Sequence, residues 1–397
     1  MQVDKKTITL IALNTAFVTH KNLGGGDRML MELISRLPGN ITPIVILPPI
    51  GMAHWRKLKL PKRIYRILPA TTFDGNESRV AIFFAYLLRL RYTLKILGNL
   101  LQMNENSVIY TASDYFVDVI PITLLKLKFR HARWLAQTYH IVHPPRERTG
   151  NILNNTAAYL LQRTSFLLIR YQANHIFADN PKTLVFFKKR FRGPVTLLGG
   201  SVDTDRTQKL IPRLVPASET VIVGRLDPTK NMPGALTVWK GVTKILPYAH
   251  LNIIGTSSRS RINALKTMIS QAGLEKNITL TGFVPHEGRP NIFDHLKRSR
   301  IFLFLESEGG RSLALLEALA CGLPVIALPH SLFENNFVTG GIKICPDIPS
   351  IAAEIVNLLN HPSYYLSLSR KALIEARRFD WNSSMNHFAS ILKHEPK

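Results

Sequence analysis

Cysteine is nearly absent from this chain. Cys321 and Cys345 are the only two among 397 residues, too few for a disulfide framework and without the paired spacing of a zinc site. That pattern predicts a reducing compartment, the cytoplasm. Acidic residues are scarce as well: 26 Asp and Glu face 51 Lys and Arg, a formal charge of +25. The imbalance is concentrated early, since residues 1–200 carry 28 basic and 10 acidic side chains and the remainder 23 and 16. Such a field concentrates polyanions, whether nucleic acid, an anionic membrane face or phosphorylated substrates, and charge by itself does not choose among them.

Long uncharged apolar runs are missing too. Spanning a bilayer takes roughly 18 to 20 such residues, and the best candidate, 80–101, is interrupted by Arg89, Arg91 and Lys95, which leaves only nine uncharged residues, 80–88. At about 100° per residue these cations spread over much of a helix circumference. Two readings stand: a mostly buried helix of a first domain with long cations reaching outward, or a helix lying on an anionic membrane with its cations at the headgroups. The first ten residues, MQVDKKTITL, place charges before a β-like run and offer no small-residue cleavage site, so they read as a first strand and not as a signal peptide.

What is present is material for two cores. Apolar residues make up 46% and charged residues 19%, and single cores stop growing near ~250 to 300 residues. Beta-rich runs at 7–13, 41–47, 108–111, 133–138 and 175–178 alternate with helical patterns, among them 28–37. A second series follows at 220–223, 250–254, 278–280, 301–305 and 324–327. Strand and helix in alternation predict parallel sheets with crossover helices. The Gly-, Pro-, Asp- and Thr-rich stretch 193–216 reads as the link. The expected organisation is an α/β protein of two doubly wound Rossmann-like domains facing each other across a cleft. Residues 1–198 form the first, 199–376 the second, and 377–397 a helix packing back on the first.

In parallel sheets ligands sit beyond the carboxyl ends of strands, and the chemistry-bearing residues fall there. The run VIVGRLDPTK, 221–230, ends a strand at Gly224 and at once offers Arg225 and Lys230. Either cation alone is an ordinary solvated loop residue. Together they suit a diphosphate leaving group, to which Arg brings a fork and Lys a point charge. The segment IFLFLESEGGRSLALLEALACGLPVIA, 301–327, runs from a strand through Glu306, Glu308, Gly309 and Gly310 into a helix near Arg311 or Ser312. Glycines there admit a phosphate to the free amides and the helix dipole. Glu317 follows within two turns, among apolar neighbours, where a carboxylate can accept ribose hydroxyls.

In order and spacing these stretches resemble the family 4 retaining glycosyltransferases of the GT-B fold, from about residue 5 to residue 388 and most strongly after Gly199. The matching motifs are Gly224-Arg225-Leu226 with Lys230, and Glu317-Ala318-Leu319-Ala320-Cys321-Gly322-Leu323-Pro324-Val325-Ile326. Further matches are the I-x-G turn ending at Gly255, the base-contacting loop 282–285 with Val284, and the linker-like 200–205. The resemblance also likens Gly24-Gly25-Gly26-Asp27-Arg28 to a glycine loop against donor phosphates and acceptor, with Gly25 and Gly26 as its contacts. It likens His140 to a histidine touching the donor sugar, with His143 a competitor. One departure matters. The family separates its two glutamates by seven residues, whereas Glu308 and Glu317 are separated by eight and Glu306 and Glu317 by ten. Either Glu308 reaches the sugar through a shifted turn, or Gly309 takes its place, or Glu306 fills the role.

The resemblance implies sugar transfer from a nucleotide diphosphate sugar with retention of configuration. Arg225 and Lys230 would meet the departing diphosphate with amides from Gly309 to Ser312, Glu317 would hold the ribose, and Glu308 and His140 would orient the sugar. No cofactor or metal is expected. Asp203-Thr204-Asp205 has the D-x-D form of a metal-binding turn, but it sits in the glycine-rich link. The acceptor is expected to be a glycan or a lipid-linked sugar at an anionic membrane face, given the basic first half. No helix-turn-helix, zinc-finger or RNP-like pattern argues for nucleic acid. The rival classes are a non-catalytic GT-B scaffold that binds membrane or nucleic acid, and a nucleotide-sugar epimerase or phosphorylase on the same fold.

Overall fold

The computed structural model describes residues 8–16, 24–58, 60–75, 78–103, 107–148, 151–208, 219–286, 290–306 and 310–393. It divides into two compact units, Met1–Gly200 with Ser384–Lys397, and Ser201–Ser383.

In the first unit the order is β1 (Ile8–Leu13), α1 (Gly25–Ser35), β2 (Ile41–Leu47), α2 (Met52–Trp55), β3 (Tyr65–Ile67), α3 (Arg79–Met103) and β4 (Val108–Thr111). It continues with α4 (Phe116–Lys128), β5 (Arg133–Thr138), α5 (Ile152–Gln172), β6 (His175–Ala178), α6 (Pro181–Lys188) and β7 (Val195–Leu197). The strands form one parallel sheet in the order β3-β2-β1-β4-β5-β6-β7. Central strands such as VIYT of β4 are buried throughout, as a sheet covered on both faces requires. Trp134 is completely buried at the centre of this core.

The second unit runs α7 (Thr204–Gln208), β8 (Glu219–Val223), α8 (Met232–Ile245), β9 (His250–Ile254), α9 (Arg259–Gln271), β10 (Ile278–Gly282) and α10 (Ile292–Arg298). Then come β11 (Ile301–Phe304), α11 (Leu313–Ala320), β12 (Val325–Ala327), β13 (Ile342–Ile344), α12 (Ile348–Asn360), α13 (Pro362–Arg377) and the start of α14 (Trp381–Lys393). Its parallel sheet has the order β10-β9-β8-β11-β12-β13, around a core that contains Trp239. From Ser384 onward α14 belongs to the first unit. There Phe388 stacks edge-on against Tyr110, and Arg133 donates to the carbonyls of Ile391 and Leu392 at 3.0 Å.

Three details differ from the sequence expectation. The stretch 193–216 is not all link, because β7 pairs with β6 inside it. Helix α1 begins at Gly25 and not at Arg28, because the Asp27 carboxylate accepts from the Gly24 amide at 2.9 Å and closes the first turn over the glycines. In α3, Arg89 does not reach outward. It is 2% exposed, pairs with Asp74 at 2.6 Å and donates to the Thr15 carbonyl at 3.0 Å. Tyr86 donates to the Ala16 carbonyl, and Asp118 of α4 accepts from the Thr15 amide and hydroxyl. The chain leaving β1 is thus clamped by two helices. Among the described residues no helix is long and apolar enough to cross a membrane.

Two buried groups of the first unit respond oppositely to pH. Burial pushes Asp114 up to about 6 from 3.8. Burial, with His387 and Arg133 nearby, lowers His175 to about 4 from 6.5. Asp114 therefore takes up a proton on folding between these values, so its stabilisation is full below 3.8 and lost as pH rises through about 6. His175 gives one up, so its stabilisation is full above 6.5 and lost as pH falls toward about 4. At about 1.4 kcal/mol per pKa unit each effect is on the order of 3 kcal/mol, and the two offset each other. Asp114→Asn keeps an oxygen to accept from Gln162 Nε2 and exposes the histidine effect. Urea unfolding should lose roughly 1.4 kcal/mol more than wild type between neutral pH and the middle of that window. An unchanged pH dependence would show that the two groups do not compensate.

Candidate active site

Parallel pairing brings the carboxyl ends of the second unit's strands to one edge, where the backbones approach unusually closely. The Gly224 amide donates to the Ile254 carbonyl at 3.0 Å, the Leu226 amide to Thr256 at 3.0 Å and the Gly255 amide to Gly282 at 2.8 Å. Gly224 and Gly255 have φ of 150° and 149°, where side chains are strained. A Cβ on Gly255 would lie 1.7 Å from the Gly224 carbonyl oxygen, and one on Gly224 would lie 2.7 Å from Lys230 Nζ. The two glycines make room for the lysine.

Lys230 is placed from both sides. Asp227 accepts from the Thr229 amide at 3.0 Å and caps the short turn Pro228–Lys230. Asn231, in the left-handed region at φ 49°, accepts from the Gly234 amide at 3.1 Å and starts α8. The ammonium then pairs with Glu306, and the two side chains are 13% and 12% exposed. Ser312, the cap of α11, donates to the same Glu306 oxygen at 3.3 Å. Sequence reasoning left Glu306 as one of several candidates, because nothing in a one-dimensional spacing shows which carboxylate turns toward the lysine. Arg225 instead extends into solvent, 70% exposed and 3.9 Å from Asp227.

Glu317 lies on α11, 4% exposed. Its carboxylate meets His286 Nε2 at 3.1 Å, and its charge adds to burial in pushing the Cys321 thiol up to about 12. His286 was missed in the sequence, although it directly follows the singled-out loop 282–285. Val284, in that loop, is half-buried. Arg311 lays its guanidinium over Phe337 and Phe379 at 5.0 and 5.3 Å from the ring centroids, and Gly310 before it is half-buried. Glu308 and Gly309 lie outside the described residues. In the D-x-D stretch, Thr204 donates its amide to Asp380 at 3.2 Å, tying α7 to the segment before α14.

The first unit gathers its own candidates at the corresponding sheet edge. Gly25 and Gly26 form the first turn of α1, and a Cβ on Gly26 would lie 2.5 Å from the Tyr139 hydroxyl. Tyr139 donates that hydroxyl to the Ala112 carbonyl at 2.9 Å. His140 follows it, exposed, with its carbonyl accepting from Gln162. Gly26 and His140 therefore flank one tyrosine, Tyr139, that no motif singles out. His143 sits 3.4 Å from Glu147.

Residues 217–361 match the family model described as Glycosyl transferases group 1. The chain is similar to the O-antigen chain mannosyltransferase B of Escherichia coli, 24% identical over 162 residues, which are 41% of this chain and 42% of that protein. An uncharacterized glycosyltransferase of Methanocaldococcus jannaschii is 24% identical over 290 residues, 69% of this chain and 65% of the relative. The matches therefore span about two fifths and two thirds of those relatives' lengths. Among solved structures, Anabaena HepE in complex with UDP and glucose superposes with a TM-score of 0.72 at 15% identity, over 97% of this chain and 99% of that one. Sucrose-phosphate synthase from Thermosynechococcus elongatus gives 0.74 at 14% identity, over 96% and 98%. In fold the chain is a GT-B protein of two parallel Rossmann-like α/β domains, and its segment 217–361 matches Glycosyl transferases group 1.

Proposed function

We propose that the chain is a retaining glycosyltransferase of family 4 that moves a hexose from a nucleoside diphosphate sugar to a glycan or lipid-linked acceptor. The observation that carries this is the Lys230 ammonium, held at the Gly224–Gly255 strand edge beside the capped start of α11. A cation held there passes from Glu306 to the departing diphosphate as charge develops on it, and electrostatic assistance of this kind is usually the largest single contribution to catalysis. The bond between anomeric carbon and phosphate oxygen breaks with its electron pair going to the diphosphate. The acceptor oxygen bonds the anomeric carbon from the same face, and its proton passes to the leaving phosphate oxygen. Lys230 and Arg225 neutralise that leaving group in place of a metal, and Glu317, oriented by His286, accepts the ribose hydroxyls. The UDP in the Anabaena structure and the O-antigen role of the Escherichia coli relative support a uridine nucleotide and a glycan acceptor. The basic first half supports an acceptor on the cytoplasmic membrane face, with the enzyme cytoplasmic and peripheral.

Thermal shift against a panel of nucleoside diphosphates, with and without chelator, tests the donor reading. A uridine diphosphate should raise the melting temperature without metal. Activity abolished by chelator and restored by manganese would overturn the metal-free leaving-group assistance. Lys230→Ala should lower kcat by about 10²-fold or more, with Arg225→Ala losing less, and full turnover in both would remove their assigned role.

Glu306 competes with the incoming diphosphate for Lys230. Glu306→Gln should therefore tighten binding of the nucleoside diphosphate several-fold by calorimetry, while turnover falls if the carboxylate also orients the sugar. Unchanged affinity would mean that the ion pair is not opened by the donor.

A further inference from the structure

Right-handed crossovers place α3, α4, α5 and α6 on one face of the first sheet. They are neighbours: α3 packs beside α4 and α4 beside α5, and Phe166 of α5 meets Phe186 and Phe187 next to it on α6. Their outward side departs from an ordinary solvated surface in two independent ways. First, it is apolar. On α5, Leu153, Leu160, Leu161, Leu167 and Tyr171 are all exposed and fall within an arc of about 120° at 100° per residue. On α3, Val80, Phe83, Phe84 and Leu87 are exposed and continue on the same arc into exposed Arg91 and Lys95. Leu124 and Leu127 of α4 join them.

Second, the layer presents charge of one sign only. Across all four helices the sequence holds a single carboxylate, Asp118. That residue is buried and bonded to Thr15 and Ser113. The exposed charges are cationic: Arg91, Lys95, Lys128, Arg170, Lys182 and Lys188. Contiguous apolar patches are rare on monomers and mark an interface, and the chemistry selects its occupant. A second copy docked on the same face would set cation against cation. A nucleic acid would match the cations and leave the leucines facing nothing apolar. An anionic bilayer answers both, with leucines and phenylalanines at the acyl boundary and the lysines and arginines at phosphate level.

We propose that the outward face of α3–α6 is a membrane-docking surface for anionic phospholipid. The arrangement answers the choice left open by the sequence of α3. Arg89 turns inward and holds the chain after β1, while Arg91 and Lys95 turn outward with the apolar residues, so one helix serves the core and the lipid. This inference rests on the peripheral-membrane part of the proposed function and gives it a surface; the donor chemistry is separate, and because the assay contains no nucleotide sugar, either can fail alone.

The test is co-sedimentation of the full chain with vesicles of phosphatidylcholine alone and of equal parts phosphatidylcholine and phosphatidylglycerol, with light scattering of the protein in parallel. Wild type should pellet with the mixed vesicles and be released by salt. Arg91→Glu with Lys95→Glu, and separately Leu160→Ser with Leu167→Ser, should each cut partitioning by roughly tenfold or more. Ile245→Ser with Tyr248→Ser, on exposed positions of the second unit, should bind like wild type. All these side chains are exposed, so melting temperatures should coincide and report an intact fold. Absence of binding, equal binding to both vesicle types, or wild-type binding by both α3 and α5 variants would overturn the proposal. So would a dimer that the leucine substitutions dissociate without any change in vesicle binding, which would make this face a contact between copies.

Discussion

The candidate site depends on how closely two strand ends approach. Gly255 sits so near the Gly224 carbonyl that a methyl group would overlap it, and Gly224 in turn lies under the Lys230 side chain. Any side chain at either position would push the lysine off the edge of the sheet. Without the lysine there, Glu306 would lose its ion pair and Ser312 would donate to an otherwise uncompensated carboxylate. The caps of Asp227 and Asn231 then fix the direction in which Lys230 leaves the strand. A network of short polar contacts on rigid elements is what preorganisation of a charged site requires.

The first unit solves a related problem with opposite means. Its chain after β1 is held by side chains, Arg89 and Tyr86 from α3 and Asp118 from α4. That use of Arg89 and Asp118 has a consequence for the surface. The single carboxylate of the helical layer is consumed inside, and what remains outside is cationic and apolar. Helices α3 and α4 therefore hold the chain directly after β1 with their inner faces and leave apolar and cationic side chains on their outer ones.

Much of the fold was legible because parallel strands buried on both faces leave strong apolar runs. The strands that went unnoticed, β3, β7 and β13, are three-residue edge strands with sequences YRI, VTL and IKI. A three-residue strand at a sheet edge buries little, so it carries no hydrophobic signal. The start of α1 was misplaced because glycines read as loop, whereas the Asp27 carboxylate closes the turn over them. At the site, Gly224, Gly255, Lys230, Ser312 and Glu317 were visible as residues, while His286 and Tyr139 were not. Their roles come from what they touch across 31 and 27 positions of sequence, at Glu317 and Ala112.

Composition and spacing by themselves determined that the chain is two parallel α/β domains, that its first half is basic, and that a lysine, a capped helix and a glutamate follow strand ends in a set order. Those properties are local or additive, so a linear string carries them. Which carboxylate faces Lys230, which way Arg89 turns, and whether the excess cations share one face with exposed leucines were decided only by the tertiary structure. Direction around a helix and partnership across a sheet edge depend on which neighbour offers a hydrogen bond or a hydrophobic surface, and such neighbours are brought together by folding alone.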